Sequence, residues 1–489
     1  MDNGVILYGA GVCCKWLYKI LKEIEMEVLA IVDSDPKKWG LKIEGCMVTS
    51  PEEIRKFQDK RICITVADKI LFIEISEMLQ SVYGYKKEQI VSCNRLIIEA
   101  YCRCTFIREY IVHNFSREKT EPTILFDSIV GLGLGGVEAW TMDICRALIE
   151  NNDFRVHIIS DNKEYNIQPV LKDHILKADI DHDATFALST VISLVKLIIA
   201  EMPCKVITSA TNEVMLAAYL VKKCYPEMIE IISVIHNSNE KVYQIYTDFQ
   251  ECPDIFIGVS QDIKQDIITR GIGFNNVYSM TCPFACEKKL VRTYTQNKMH
   301  PIRIGYAGRM DGMECSQKRM DLLLRFAKTL AERKIHFTLE LAGEGPAKKQ
   351  METFIREYHL EKEVIFVGTL GRDEMPMFWR RQDICINLAD YEGRSISIIE
   401  AMGNGAVPVV TATSGVRDDI IDNSNGYIVP IGEYIAAADR VEYLYMHRER
   451  LPEMGRAAHD IVYPKSLMEP HIAFWERILD GRIKNEVAE

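Results

Sequence analysis

No stretch of this sequence is long and uncharged enough to cross a bilayer. Its most apolar run, residues 187–200, is short and holds Lys196, whereas a spanning helix needs roughly 20 apolar residues. The first fifteen residues place an acid at Asp2 and glycines at Gly4 and Gly9, unlike a secretory leader. A cytoplasmic protein is expected, with a peripheral place at the inner face of the cell membrane left open. Positive charge is not in excess: 59 Lys and Arg face 70 Asp and Glu, a net charge of −11. Nucleic acid is therefore not expected as a partner, although a local basic pocket stays available. Fifteen cysteines include no C-x-x-C pair, which points to reduced thiols rather than a disulfide framework. Cys93, Cys102, Cys104 and His113 lack the paired anchor of a zinc site, and the D-x-D strings at Asp33 and Asp181 lie outside a metal-binding context. No metal is expected. No period of 20–50 residues recurs, which excludes a solenoid.

What is present is enough apolar matter for several cores. In 489 residues, 48% are apolar and 26% charged, consistent with two to four domains. Strand and helix patterns alternate in three series, the mark of parallel sheets with crossover helices. The first series has strands at 5–8, 28–32 and 61–66 with a helix over 12–23, and fills residues 1–92. Residues 93–122 read as a helical linker. The second series occupies 123–290, the third 291–465, and a closing helix lies in 466–489. The fold class is α/β, three Rossmann-like units in a row. The oligomeric state is not legible.

The densest chemistry follows the strand at 384–387, in Tyr391-Glu-Gly-Arg-Ser-Ile-Ser-Ile-Ile-Glu400-Ala-Met-Gly-Asn-Gly-Ala-Val-Pro-Val-Val410. Glu392 falls in the loop after the strand. Glu400 falls two turns inside the helix that the loop opens. A helix N-terminus presents unpaired N–H groups and the positive end of a dipole, which suits phosphate. Glu400 can accept from ribose hydroxyls, as an acid does in dinucleotide folds, and Glu392 from hydroxyls of a sugar. Two acids near a helix start are also simply welcome electrostatically; the surrounding strand, loop, helix and Gly-Ala-Val-Pro-Val-Val favour a site.

With these residues in place, residues from about 123 to 480 resemble the retaining GT-B-fold glycosyltransferases of family 4. The resemblance implies two Rossmann-like lobes with a cleft between them, an acceptor lobe first and a donor lobe second. It implies metal-independent transfer of a sugar, without a cofactor, from a UDP- or GDP-linked donor to a glycan or lipid-linked acceptor. Bacterial surface polysaccharide or glycolipid synthesis is the setting it suggests. By the same likeness Glu400 contacts the ribose and Glu392 the sugar, with Gly393, Arg394 and Ser395 beside the donor.

Two further segments match. Ile304-Gly-Tyr-Ala-Gly-Arg309 and Gln317-Lys318-Arg319-Met-Asp321 supply Arg309 and Lys318 to clamp the donor diphosphate. Fixed cations stabilise the charge that develops on a departing diphosphate. Arg319 adjoins Lys318 and competes for its role. Gly131-Leu-Gly-Leu-Gly-Gly136-Val-Glu138 places Gly135 and Gly136 near phosphates and acceptor, and His236, after the strand at 233–235, near the sugar's reactive carbon. The closing helix is expected to cross back to the acceptor lobe. Where many members have Gly-Phe-Gly after the first acid, this chain has Gly393-Arg394-Ser395. The frequent hinge Pro-Asn-Gly appears as Pro283-Phe-Ala-Cys286.

The N-terminal series carries Gly9-Ala-Gly11-Val-Cys-Cys14 after its first strand and Asp33 after its second. This is a dinucleotide fingerprint with a cysteine as its third member. It resembles the small nucleotide-binding domains found beside sugar-modifying enzymes. NAD, a nucleotide or nucleotide-sugar held by Gly9, Gly11 and Asp33, or no ligand at all, are its three readings. Hence two alternatives accompany the transferase: an NAD-dependent nucleotide-sugar oxidoreductase, and a bifunctional protein with a regulatory or docking N-terminal domain. In the docking reading, removing residues 1–120 is expected to leave transfer to a free acceptor intact.

Overall fold

The structure, a computed structural model, describes residues 4–66, 68–116, 119, 121–132, 135–150, 154–163, 165, 167–209, 212–273, 276–280 and 282–481. Gly133 of the glycine-rich loop and Ile483 of the expected closing helix lie outside them. Two compact units divide the chain: Met1–Ser233 with Gln244–Ile255, and Val234–Tyr243 with Phe256–Glu489.

The first unit opens with β1 (Gly4–Tyr8), α1 (Val12–Glu23), β2 (Glu27–Val32), β3 (Lys42–Ile43), β4 (Cys46–Thr49), β5 (Arg61–Ile64), α2 (Lys69–Ser81) and β6 (Ile90–Ser92). These strands form a sheet in the order β3-β4-β2-β1-β5-β6. All pairs are parallel except the β3–β4 hairpin. Every residue of β1 is buried, as expected of a parallel strand covered on both faces. The hairpin was not legible in sequence, because two- and four-residue strands carry too little periodicity. Its turn uses Glu44 and Gly45 at φ of 49° and 92°, the left-handed pair that a tight hairpin requires.

The stretch expected as a helical linker forms two helices, α3 (Cys93–Arg103) and α4 (Thr105–Asn114), separated at Cys104, whose backbone is extended. A second series follows: β7 (Thr123–Ser128), α5 (Gly136–Glu150), β8 (Arg155–Ser160), β9 (Ile175–Lys177), α6 (Leu188–Ala200), β10 (Cys204–Thr208), α7 (Asn212–Cys224), β11 (Ile229–Ile235) and α8 (Glu240–Asp248). Its strands run in the order β11-β10-β7-β8-β9.

The two series share one core. Leu7, Leu17, Leu21, Ile97, Tyr101, Ile107 and Ile111 belong to the same apolar cluster as Leu125, Phe186, Leu194 and Leu216. Polar contacts reinforce it: Tyr101 Oη donates to Phe186 O at 2.6 Å, Trp16 Nε1 to Thr185 O at 2.8 Å and Asn94 Nδ2 to Asp248 Oδ2 at 3.2 Å. Arg95 pairs with Glu251 at 2.7 Å. The segment read as a linker is therefore core.

The second unit holds β12 (Ile255–Gly258), α9 (Gln261–Thr269), β13 (Val277–Ser279), β14 (Ile302–Ala307), α10 (Met320–Glu332), β15 (Phe337–Ala342), α11 (Lys348–Glu357), β16 (Val364–Gly368), α12 (Met375–Arg380), β17 (Ile384–Asn387), α13 (Ile396–Gly403), β18 (Val407–Thr411), β19 (Tyr427–Val429), α14 (Tyr434–Met446), α15 (Arg450–Ser466) and α16 (Met468–Leu479). Its six-stranded parallel sheet has the order β16-β15-β14-β17-β18-β19. One apolar cluster packs Leu323, Phe326, Leu339 and Ile386, and another packs Trp379, Ile398, Met402 and Val462. Strands apolar on both sides thus read as continuous Val- and Ile-rich runs. All fifteen cysteines are unpaired.

Candidate active site

In the last sheet the first strand, β14, lies between β15 and β17, so the strand order reverses there. Doubly wound sheets bind ligands in the crevice beyond the strand C-termini at such a reversal. Gly308 and Arg309 follow β14, and the loop carrying Glu392 follows β17, one on each side of the reversal. Backbone approach is close here. A Cβ on Gly343, at φ 132°, would lie 2.1 Å from Gly308 O.

Lys318 and Glu392 face each other: Nζ lies 2.5 Å from Oε1, and both side chains are largely buried. Gln317 Nε2 donates to Tyr391 O at 3.1 Å and to Glu392 Oε2 at 3.3 Å, while Asp390 N donates to Gln317 O at 3.0 Å. Asn387 Nδ2, at the end of β17, reaches Glu392 Oε1 at 3.5 Å. A cation suited to phosphate and an acid suited to hydroxyls are thus held together. Gln317 and Asn387 were not singled out in the sequence; a polar residue closing the apolar run Ile-Cys-Ile-Asn was the available signal.

Arg319, the competitor for the role of Lys318, is engaged elsewhere. Its guanidinium bridges Asp321 and Asp390, each at 3.0 Å, and the hydrogen bond to Asp321 followed by that to Asp390 raises its pKa. Lys318 is the residue that meets Glu392. Arg309 is exposed and pairs with Asp311 at 3.3 Å. Beneath it Tyr306 Oη donates to Arg309 O at 3.0 Å, and burial, with the Glu392 charge second, pushes that phenol above its usual range.

Helix α13 begins at Ile396, with Ser395 as its N-cap and no acid in its first turn. Glu400 is therefore its fifth residue, little more than one turn in, rather than the two turns expected. Gly393 packs on the chain at His236: a Cβ there would lie 1.9 Å from His236 O. Ser238 Oγ donates to Glu392 O at 2.6 Å. Burial drives the His236 imidazole down to a pKa of about 3, so it is neutral at working pH. His236, Arg309, Lys318, Glu392 to Ser395 and Glu400 all belong to this one unit.

Arg394, expected beside the donor, has its side chain engaged within the protein. Its side chain is 2% exposed and clasps Asp419, Nε at 2.9 Å and Nη2 at 2.7 Å.

Gly135 and Gly136 belong to the first unit, where α5 starts at Gly136. The Glu138 carboxylate folds back over Gly135, so that a Cβ there would lie 1.9 Å from Oε2. An anion at this helix start would have to displace it. In the N-terminal sheet Asp33 is similarly occupied: Oδ2 accepts from Ala10 N at 2.6 Å and Lys38 Nζ at 2.8 Å, and Oδ1 from Asp35 N at 2.8 Å. Burial opposes its charge, but Lys38 and these amides hold its carboxyl below the ordinary value. Asp33 fastens the Gly9–Gly11 turn. Cys14, in the third fingerprint position, is fully buried, and burial raises its thiol to about 12.

Among the described residues no helix is long and apolar enough to cross a membrane. Two family models match: "C2185-like, N-terminal" over residues 1–91 and "Glycosyl transferases group 1" over residues 295–460. The N-acetyl-alpha-D-glucosaminyl L-malate synthase of Bacillus anthracis is 22% identical over 277 residues, 54% of this chain and 71% of that protein. The poly(ribitol-phosphate) alpha-N-acetylglucosaminyltransferase of Staphylococcus aureus is 25% identical over 36% of this chain, which spans only 35% of that relative. Among solved structures, Anabaena HepE in complex with UDP-glucose superposes with a TM-score of 0.60 at 15% identity, covering 74% of this chain and 100% of its own. Residues 295–460 therefore match the group 1 glycosyl transferase family, in a chain that has the GT-B fold of two Rossmann-like lobes.

Proposed function

We propose that this protein transfers a sugar from a nucleoside-diphosphate sugar, UDP- or GDP-linked, to a glycan or lipid-linked acceptor, with retention and without a metal. The observation that carries the reading is the buried Lys318–Glu392 pair at the strand reversal, beside the N-terminus of α13. A diphosphate placed there meets Lys318, Arg309 and the first amides of α13, and its ribose lies toward Glu400. In the transfer step the bond from the anomeric carbon to the diphosphate oxygen breaks and its electron pair stays on phosphate. Arg309 and Lys318 offset that charge. The acceptor hydroxyl bonds to the anomeric carbon on the same face, and its proton passes to the departing phosphate oxygen. No side chain is assigned as nucleophile. Glu392 accepts from sugar hydroxyls and so orients the ring.

The bacterial relatives, among them an enzyme named for lipopolysaccharide galactosyl transfer, support a role in surface polysaccharide or glycolipid assembly. Glu400→Ala is expected to weaken UDP or GDP binding measured by calorimetry, and Arg309→Ala to slow turnover chiefly. Wild-type affinity and turnover in Glu400→Ala would remove the assignment. An NAD-linked oxidoreductase is the less favoured reading: its support is the N-terminal fingerprint, and both Asp33 oxygens already accept hydrogen bonds within the protein.

A further inference from the structure

We propose that Arg394 is a positioning residue that fixes the loop after β17, so that Glu392 and the amides opening α13 face the donor. The inference rests on the reading of that loop as a donor site. The backbone of the loop is pressed from two sides: His236 O crowds Gly393, and a Cβ on Gly415 would lie 2.6 Å from Gly393 O. Between Glu392 and α13, Arg394 is the long side chain, and it runs away from the loop into the protein. Its fork closes on Asp419, which follows the short turn Val416–Asp418.

Asp419 also takes a second cation from another element. Lys465, near the end of α15, lies 2.9 Å from Asp419 Oδ1. Asn425 Nδ2 donates to Asp419 O at 2.9 Å and holds that segment in turn. The two cations differ in setting: the Lys465 side chain is 32% exposed, whereas that of Arg394 is 2% exposed. Arg394 Nη1 is buried without a hydrogen-bond partner among the described residues. Nearby, burial holds the His471 imidazole neutral and raises the Cys282 thiol to about 11.

A desolvated arginine–carboxylate pair is weak evidence for stability, because apolar side chains of equal volume can do as well. What it does supply is one geometry, since a planar fork meets a carboxylate in a single bidentate arrangement. The pair thus ties the backbone at Arg394 to the segment at Asp419, one residue from Gly393 and two from Glu392. Removing either cation leaves Asp419 with the other, so the charge balance is the same in both variants. The variants differ in the element released and in how deeply the lost side chain is buried.

That symmetry gives the test. Arg394→Met and Lys465→Met are made in the full chain. UDP affinity is measured by calorimetry, and amide hydrogen exchange is followed over residues 391–398. Arg394→Met is expected to weaken UDP binding and to speed exchange in this segment, each by about tenfold, because small misplacements in a preorganised site are costly. Lys465→Met is expected to change either quantity by no more than about twofold, as partly exposed pairs do. Arg394→Lys should recover part of the protection, which also serves if Arg394→Met fails to fold. Equal behaviour of the two methionine variants, or unchanged exchange in Arg394→Met, overturns the proposal. If the wild type binds neither UDP nor GDP, the donor-site reading falls, and the exchange rates alone decide whether Arg394 holds the loop.

Discussion

Lys318 and Glu392 neutralise each other in the structure described here, although a nucleotide-sugar would call on each separately. Donor binding should therefore open the pair, with phosphate taking Lys318 and sugar hydroxyls taking Glu392. Glu392→Gln is expected to leave UDP affinity unchanged or tighter, because the competitor for Lys318 is gone, while turnover falls by about a hundredfold. Weaker UDP binding in that variant would contradict the account. His471 makes a second prediction. It is 2% exposed on α16, burial followed by the Arg394 charge lowers its pKa from 6.5 to about 3, and its Nε2 lies 3.3 Å from Trp475 Nε1. Between those two pH values the unfolded chain carries a proton that the folded one does not. His471 should lower stability with falling pH over that window by up to about 1.4 kcal/mol per pH unit, and His236, lowered to the same value by burial, should add its own share, with no effect from either above it. His471→Gln should make the acid unfolding curve shallower there. At this scale Lys318 and Glu392 could be singled out from local order, and the structure pairs them; Glu400 could be singled out in the same way, and its role stays a proposal. The engagement of Arg394 with Asp419 was not legible, because the two are 25 residues apart and nothing local announces it.

Among the elements, α3 and α4 had the least legible role. Their charged and aromatic composition reads as a linker, yet Ile97, Tyr101, Ile107 and Ile111 are each buried to 2% exposure or less. The periodicity was present, but which neighbour it would face is a non-local fact. Because these helices join the core of β7–β11 and their helices, the N-terminal series is not expected to behave as a removable module. Deleting residues 1–120 would strip α1, α3 and α4 from that core and expose its apolar face. The truncated chain is expected to be insoluble or rapidly proteolysed; a soluble, protease-resistant product would show that the shared core is dispensable. A milder probe is Tyr101→Phe, which removes the donor to Phe186 O and should cost about 1 kcal/mol of stability in chemical denaturation.

At the scale of the whole molecule, the three strand–helix series were legible because parallel strands buried on both faces appear as unbroken β-branched runs. The reversal of strand order at β14 and β17 was not, since strand neighbours are set by tertiary pairing. Beside that reversal Lys318 meets Glu392, 74 residues away in number, and Arg309 follows the end of β14. The central claim is that this gathering makes a nucleoside-diphosphate site. A calorimetric titration of UDP and of GDP into the full chain, repeated with Lys318→Met, tests it most directly. The account predicts that one of the two nucleotides binds the wild type, and that Lys318→Met weakens that binding by about tenfold or more, the loss of one charge-assisted contact. Binding of neither nucleotide, or equal binding by the variant, would contradict it.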